Sequence, residues 1–238
     1  MDQQTSRSRL WQSRSAALGC LLGALASSVP ALAGNNFVGQ SFVGQNLVGR
    51  SFKGANVSSA NFNEANAKQV SFYGADVRAA SFIKTVCNDC SFYGATGDRN
   101  TRFDNADLDK ADFTGARMRG ARFLKAKLTG AKLVGADFSH AFLRDASLVG
   151  ANFNGADGRA TKCERADLRN ANLSRARFSR AHLGNADLRG TNLQGTDLRD
   201  ADLCGVKYDK STNVNGADVR GAQCGKEFIQ NVRAAQAK

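Results

Sequence analysis

The residues best equipped for chemistry in this chain are few and scattered. There are two histidines, His140 and His182, and six cysteines, Cys20, Cys87, Cys90, Cys163, Cys204 and Cys224. Cys87-Asn88-Asp89-Cys90 has the C-x-x-C spacing of a redox pair, but no alternation of strands and helices surrounds it, which argues against a thiol–disulfide enzyme. A zinc site needs about four convergent ligands, more than a chain so poor in histidine supplies. The aspartates are repeat-position residues rather than a converging acid and base, and the histidines fall at outward-facing repeat positions with no nucleophile partnered to them. No phosphate-cradling loop occurs. The expectation is no catalytic residue, no cofactor and no metal. What remains is charge: 33 Lys+Arg against 21 Asp+Glu, a net +12 over 238 residues.

The elements that must position those charges follow an N-terminal address. Arg7, Arg9 and Arg14 precede an apolar stretch from Ala16 to Val29, and Val29-Pro30-Ala31-Leu32-Ala33 ends it before Gly34. This order is that of a cleaved secretory signal, with the cut expected after Ala33. The alternative, an uncleaved anchor, is opposed by the shortness of the stretch and by its glycine and serine interruptions; no apolar run reaches the ~18 residues of a membrane span. Cys20 has almost no apolar residues before it, against a lipoprotein. Cleavage would leave 30 basic and 20 acidic residues, still a net +10, in a disulfide-permissive compartment.

After residue 34 a period of five takes over. Large apolar residues recur at Phe37, Phe42, Leu47, Phe52, Val57 and Phe62, resume after a slip as Phe103, Leu108, Phe113, Met118, Phe123 and Leu128, and run on to Tyr208. A second slip restarts the series at Val214, Val219 and Cys224. Of 37 such central positions 26 are Phe or Leu, and 13 of the 15 phenylalanines fall on them, so chance is not the explanation. A small residue, mostly alanine, sits two before each centre, and glycine stands two after it at 17 of the 37. Neither the helical period of 3.6 nor the strand period of 2 fits. Each unit therefore needs a short extended piece and a turn, where glycine suits positive φ. The tail 226–238 departs from the repeat: Phe228, Val232 and Ala235, at spacings of four and three, predict a short amphipathic helix.

Units such as Ala-Asp-Leu-Arg-Gly, Ala-Asn-Phe-Asn-Gly and Ala-Lys-Leu-Val-Gly resemble those of the pentapeptide-repeat family, over residues 35–224. The resemblance implies an all-β solenoid, a right-handed quadrilateral parallel β-helix with four units per coil and with the centre and the small residue pointing inward. The expected organisation is a signal peptide (1–33), the β-helix (34–225) and a capping helix with tail (226–238). Four units per coil would stack Phe42, Phe62, Phe82, Phe103 and Phe123 in one ladder and Phe52, Phe72, Phe92 and Phe113 in the ladder opposite. Gly158 and Cys163, small at consecutive centres, predict a locally slimmer core filled by Phe138 and Phe178.

On the same frame Cys204 and Cys224 lie one coil apart, and a disulfide between them is expected. Cys87 and Cys90 are either a second, local disulfide or two small core thiols, and Cys163 is left as a buried free thiol. One wall would carry Arg102, Arg122, Lys125, Arg144, Lys162 and Arg165, and its neighbour Arg117, Arg119, Arg159, Arg177, Arg180 and Arg199, each interleaved with four acids. The wall through Phe113 and Leu133 is almost uncharged. These cations are either a solvated mixed surface or an edge that docks an anionic partner.

The reading is an exported, non-enzymatic scaffold of a periplasm or thylakoid lumen, similar to cyanobacterial members of the family, binding a protein of that compartment such as acidic loops of a membrane complex. An uncapped N-terminal end offers a dimer surface. One alternative is a cationic solenoid that binds an anionic polymer or nucleic acid, although no surface aromatics interleave the arginines to stack bases. Another is the topoisomerase-binding branch of the family, whose mimicry of DNA calls for an acidic cytoplasmic rod.

Overall fold

A five-residue unit has five backbone N–H groups to satisfy, and the way it does so fixes the architecture of residues 34–236, which the computed structural model describes. The expected leader over 1–33 lies outside the described residues, as do the last two. In the unit around Phe37, the N–H of Phe37 donates to Asn56 O (2.7 Å) and that of Gly39 to Ser58 O (2.9 Å), both one coil on. Asn56 N donates back to Asn35 O (3.0 Å), and Gln40 N closes the turn on Phe37 O (3.1 Å). The fifth, on Val38, donates to the side-chain Oδ1 of Asn36. Repeats of this pattern leave no backbone donor of a unit stranded. They also explain why Asn or Asp so often precedes the centre: its short side chain reaches the N–H two residues on.

The residue before each centre pairs in parallel with its counterpart 20 residues later, from Asn36↔Asn56 onward, so four units make one coil. The interval lengthens to 21 at Ser81↔Arg102 and again at Asn192↔Asn213, which absorbs the two slips. Both insertions are built alike. Asp98 Oδ1 accepts from the N–H groups of Asn100 and Thr101, and Thr101 Oγ1 donates to Val77 O. Asp209 Oδ1 accepts from Ser211 N, and Thr212 Oγ1 donates to Leu188 O.

Four walls result. Wall 1 runs through Phe37, Val57, Val77, Met118, Phe138, Gly158, Phe178 and Leu198; wall 2 through Phe42, Phe62, Phe82, Phe103, Phe123, Leu143 and Cys163. Wall 3 holds Leu47, Ala67, Cys87, Leu108 and Leu128, and wall 4 holds Phe52, Phe72, Phe92, Phe113 and Leu133. These centres are buried, as are the alanines two before them. The corner residue two after the centre has positive φ whether it is glycine or not: Gly94 lies at 62° and Lys84 at 56°. Phenylalanine rings stack within walls 2 and 4 (Phe62–Phe82 4.8 Å, Phe72–Phe92 4.9 Å) and meet edge-to-face across the core (Phe62–Phe72 5.3 Å, 85°).

Gly158 is small because of Phe178: a Cβ there would lie 2.6 Å from Phe178 Cζ. At the far end the helix Lys226–Gln236 lays Phe228 and Val232 into the core, with the Phe228 ring 5.1 Å from that of Tyr208. Cys224, counted as an inward centre on periodicity, is instead exposed and adopts φ 55°. The chain leaves the repeat there to enter the helix, and turning outward brings Cys224 to Cys204.

Candidate functional site

The arginines are organised by the same aspartates that satisfy the backbone. In Asp157-Gly158-Arg159 the carboxylate accepts from Arg159 N (3.1 Å), and the guanidinium folds back on it through Nε (2.9 Å) and Nη2 (2.8 Å). Asp197-Leu198-Arg199 repeats the fork with the same two side-chain distances. Arg78, Arg169, Arg189 and Arg220 fork onto Asp76, Asp167, Asp187 and Asp218. The side-chain bond from Arg199 holds the Asp197 carboxyl below its ordinary pKa. At Asp157, burial works against ionisation, but the hydrogen bonds from Arg159 outweigh it and the pKa is again lowered.

Seven of the twelve cations expected as a binding face are therefore already engaged. On wall 1 these are Arg159, Arg199 and Arg177, whose Nη2 lies 3.2 Å from Asp157 Oδ2. On wall 2, Arg102 and Arg122 flank the buried Asp104, Arg144 meets Glu164 and Arg165 grips Asp145 bidentately across one coil. Lys162 stands 4.7 Å over the Phe142 ring. Lys125 acts on Asp145 through charge. Arg119 has a long hydrogen bond to Ser139 Oγ, 3.4 Å, and no carboxylate partner among the described residues; Arg117 and Arg180 likewise have none.

The row after the centre on wall 1 alternates Arg119, Ser139, Arg159, Ser179 and Arg199 from coil to coil. The small serines, with Ala160 at a corner, leave an open cleft of about 550 Å³ between the arginines, also lined by His140, Arg177, Arg180, Asp197 and Asp200. Ser139, Ser179, Asp197 and Asp200 each hold an ordinary repeat position, so the sequence does not mark them as sharing a cleft. The available signal was Arg117-Met118-Arg119, where arginine replaces the aspartate that would fork Arg119.

The cysteines sit apart from this cleft. Cys87 and Cys90 are bonded to each other inside the core, and Cys204 is bonded to Cys224 on the surface beside the helix. Cys163 is free, and burial pushes its thiol up to about 12, leaving it inert. His140 and His182 are exposed. On wall 4 an amide ladder links Asn152, Asn172, Asn192 and Asn213.

A coil of four five-residue units, closing every 20 or 21 residues, defines a parallel β-solenoid. A family model described as pentapeptide repeats matches in eight copies over residues 51–86, 99–123, 136–175 and 171–207, more than half of the chain. The chain belongs to the pentapeptide-repeat family. Among solved structures it is similar to HetL, a pentapeptide repeat protein involved in heterocyst differentiation regulation in the cyanobacterium Nostoc sp. strain PCC 7120 (23% identity over 89% of this chain and 92% of that one, TM-score 0.53). It is also similar to QnrB1, a plasmid-mediated fluoroquinolone resistance protein, in a trypsin-treated form (23% identity, 76% and 90% covered, TM-score 0.59) and at full length (19% identity, 85% and 97% covered, TM-score 0.55). At these identities the likeness concerns fold. No curated protein matches. Members of the family are typically scaffolds or binding modules rather than catalysts.

Proposed function

We propose that the protein is an exported, non-catalytic scaffold that presents walls 1 and 2 to a protein partner in a periplasm or thylakoid lumen, with acidic loops of a membrane complex as the partner's contact. The observation that carries this reading is the incomplete charge pairing on wall 1: ion pairs engage Arg159, Arg177 and Arg199, and two of the three arginines left over, Arg119 and Arg180, line one cleft. Export is supported by the layout of residues 1–33 and by two disulfides in a chain this size. The solenoid is taken as right-handed and the helix Lys226–Gln236 as its cap, which covers an edge that would otherwise invite pairing. At the opposite end Val38, Val43 and Val48 are exposed, and a second copy is proposed to meet the first there.

Two measurements test this. Protein from its native host, alkylated without reduction, is expected to have a mass starting at Gly34 with one free thiol. A mass starting at Met1 with six free thiols overturns export. Cross-linking in the exported fraction is expected to join Lys125 or Lys162 to acidic segments of another protein. A second reading, binding of nucleic acid or another anionic polymer, is favoured by the net +12. It replaces the first if cross-linking returns no protein while DNA is retarded with steep salt dependence.

A further inference from the structure

Arg119 and Arg180 are exceptions to charge pairing on wall 1, and both line its cleft. Arg119 follows Arg117 and Met118, so a second cation stands where an aspartate would fork it. Arg180 is a corner residue with φ 59°, preceded by Ser179 rather than by a carboxylate. Five arginines line the cleft (119, 159, 177, 180 and 199). Asp157 pairs with Arg159 and Arg177, and Asp197 and Asp218 pair with Arg199, so three of the five are engaged and Arg119 and Arg180 are left without a carboxylate partner among the described residues.

The two excess cations are separated by three coils, since the register runs Arg117↔Asp137↔Asp157↔Arg177. At the ~4.8 Å spacing of paired strands that is about 14 Å. An extended peptide rises ~3.3 Å per residue, so four residues span the same distance, and an even offset puts both side chains on one face. Resting on the reading of wall 1 as partner-facing, we propose that this cleft binds an extended acidic segment of the partner, with carboxylates at positions i and i+4, one on Arg119 and one on Arg180. Guanidinium groups without a carboxylate partner can take one bidentately, and the long bond from Arg119 to Ser139 Oγ is readily given up for it. Asp197 and Asp200 repel a densely charged polymer and tolerate a segment that is neutral between its two acids. Ser139, Ala160 and Ser179 leave the room that such a backbone needs.

The test uses the full chain and fluorescein-labelled peptides read by anisotropy at low salt. A Glu-Ser-Thr-Ser-Glu segment flanked by Gly-Ser is expected to bind at least tenfold tighter than the same composition arranged Glu-Ser-Glu. Arg119→Gln and Arg180→Gln are each expected to weaken it at least tenfold, with unchanged circular dichroism. Arg189→Gln, which removes one charge from a fork on wall 3, is expected to leave it unchanged. Equal weakening by Arg189→Gln, equal affinity for the two spacings, or tight binding of tripolyphosphate without binding of peptide each overturns the proposal. If the peptide fails while cross-linking still joins wall 2 to a partner, the cleft assignment falls and the scaffold reading stands. If both fail, both fall.

Discussion

The coils from Phe37 to Phe123 and those from Phe138 to Val219 have one backbone and are locked in register by different means. The first set is fixed from inside: walls 2 and 4 are unbroken phenylalanine stacks up to Phe123 and Phe113, each ring meeting the opposite ladder edge-on. Its outer surface holds a single Asp-x-Arg fork, Asp76 with Arg78. In the second set the centres are largely leucine, and phenylalanine survives only at Phe138, Phe153 and Phe178 on walls 1 and 4. There the outside takes over, with five forks and further ion pairs that cross from coil to coil. A one-residue slip would turn every centre outward, so a solenoid must specify register somewhere. Stacked rings do so by shape, and forks do so by pairing charge with an N–H in the same unit.

The largest effects probe the inner lock. Phe82 contacts Phe62 and Phe103 in its stack and Phe72 and Phe92 across the core. Phe82→Ala is expected to cost about 3–5 kcal/mol in urea unfolding, since few coils can collapse around a hole that size. A cost under 1 kcal/mol would mean the rings do not carry the register. Next comes Gly158→Ala, where the new Cβ meets the Phe178 ring. It is expected to cost about 1–3 kcal/mol, and the double variant with Phe178→Leu is expected to recover most of it. Absence of recovery would locate the strain in the backbone instead.

Acid separates the two regions. Carboxyl pKa values are lowered at Asp145, Asp157, Asp167, Asp187, Asp197, Asp209 and Asp218 in the later coils, and at Asp76 and Asp98 in the earlier ones. Because the folded values lie below the unfolded ~3.9, the unfolded chain binds more protons as the medium acidifies. The stabilisation is full above about pH 5 and is lost as pH falls through the folded values. Each coil in a solenoid depends mainly on its neighbours, so the loss can be local. Hydrogen exchange near pH 3 is expected to deprotect coils after Asp145 before those around Phe72. Simultaneous deprotection would mean the forks contribute no regional stability.

The periodicity was enough to read the five-residue unit and the slip at Thr96–Thr101, and, with four units per coil taken from the family resemblance, the two opposing phenylalanine ladders, because burial selects side chains by position and leaves that selection visible in one dimension. Phe178 filling the space above Gly158 was legible for the same reason. The roles of the outward residues were less so. Arg159 and Arg199 looked like docking groups when counted by wall, whereas the triplets Asp157-Gly158-Arg159 and Asp197-Leu198-Arg199 commit them to their own units. Charge on a wall depends on which partners lie within reach, and a count per wall does not contain that distance. Cys224 was misplaced inward because periodicity says nothing about where a chain abandons it.

The smallest effect isolates the two duties of the forked aspartate. Asp187 Oδ1 accepts from Arg189 N, while the two carboxylate oxygens together hold the Arg189 guanidinium. Asparagine keeps an acceptor for the N–H and loses the charge; alanine loses both. An exposed pair is worth about 0.2–1 kcal/mol, and a hydrogen bond to an otherwise unpaired backbone donor about 1 kcal/mol. Asp187→Asn is therefore expected to cost about 0.5 kcal/mol, and Asp187→Ala about 1.5 kcal/mol. In 1 M salt the asparagine variant should become indistinguishable from the parent while the alanine variant keeps its deficit. If salt erases both deficits, the aspartate matters only for charge, and the N–H accounting that explains its place before so many centres is wrong. If it erases neither, Arg189 folds over Asp187 without stabilising it, and the outer lock is hydrogen bonding alone.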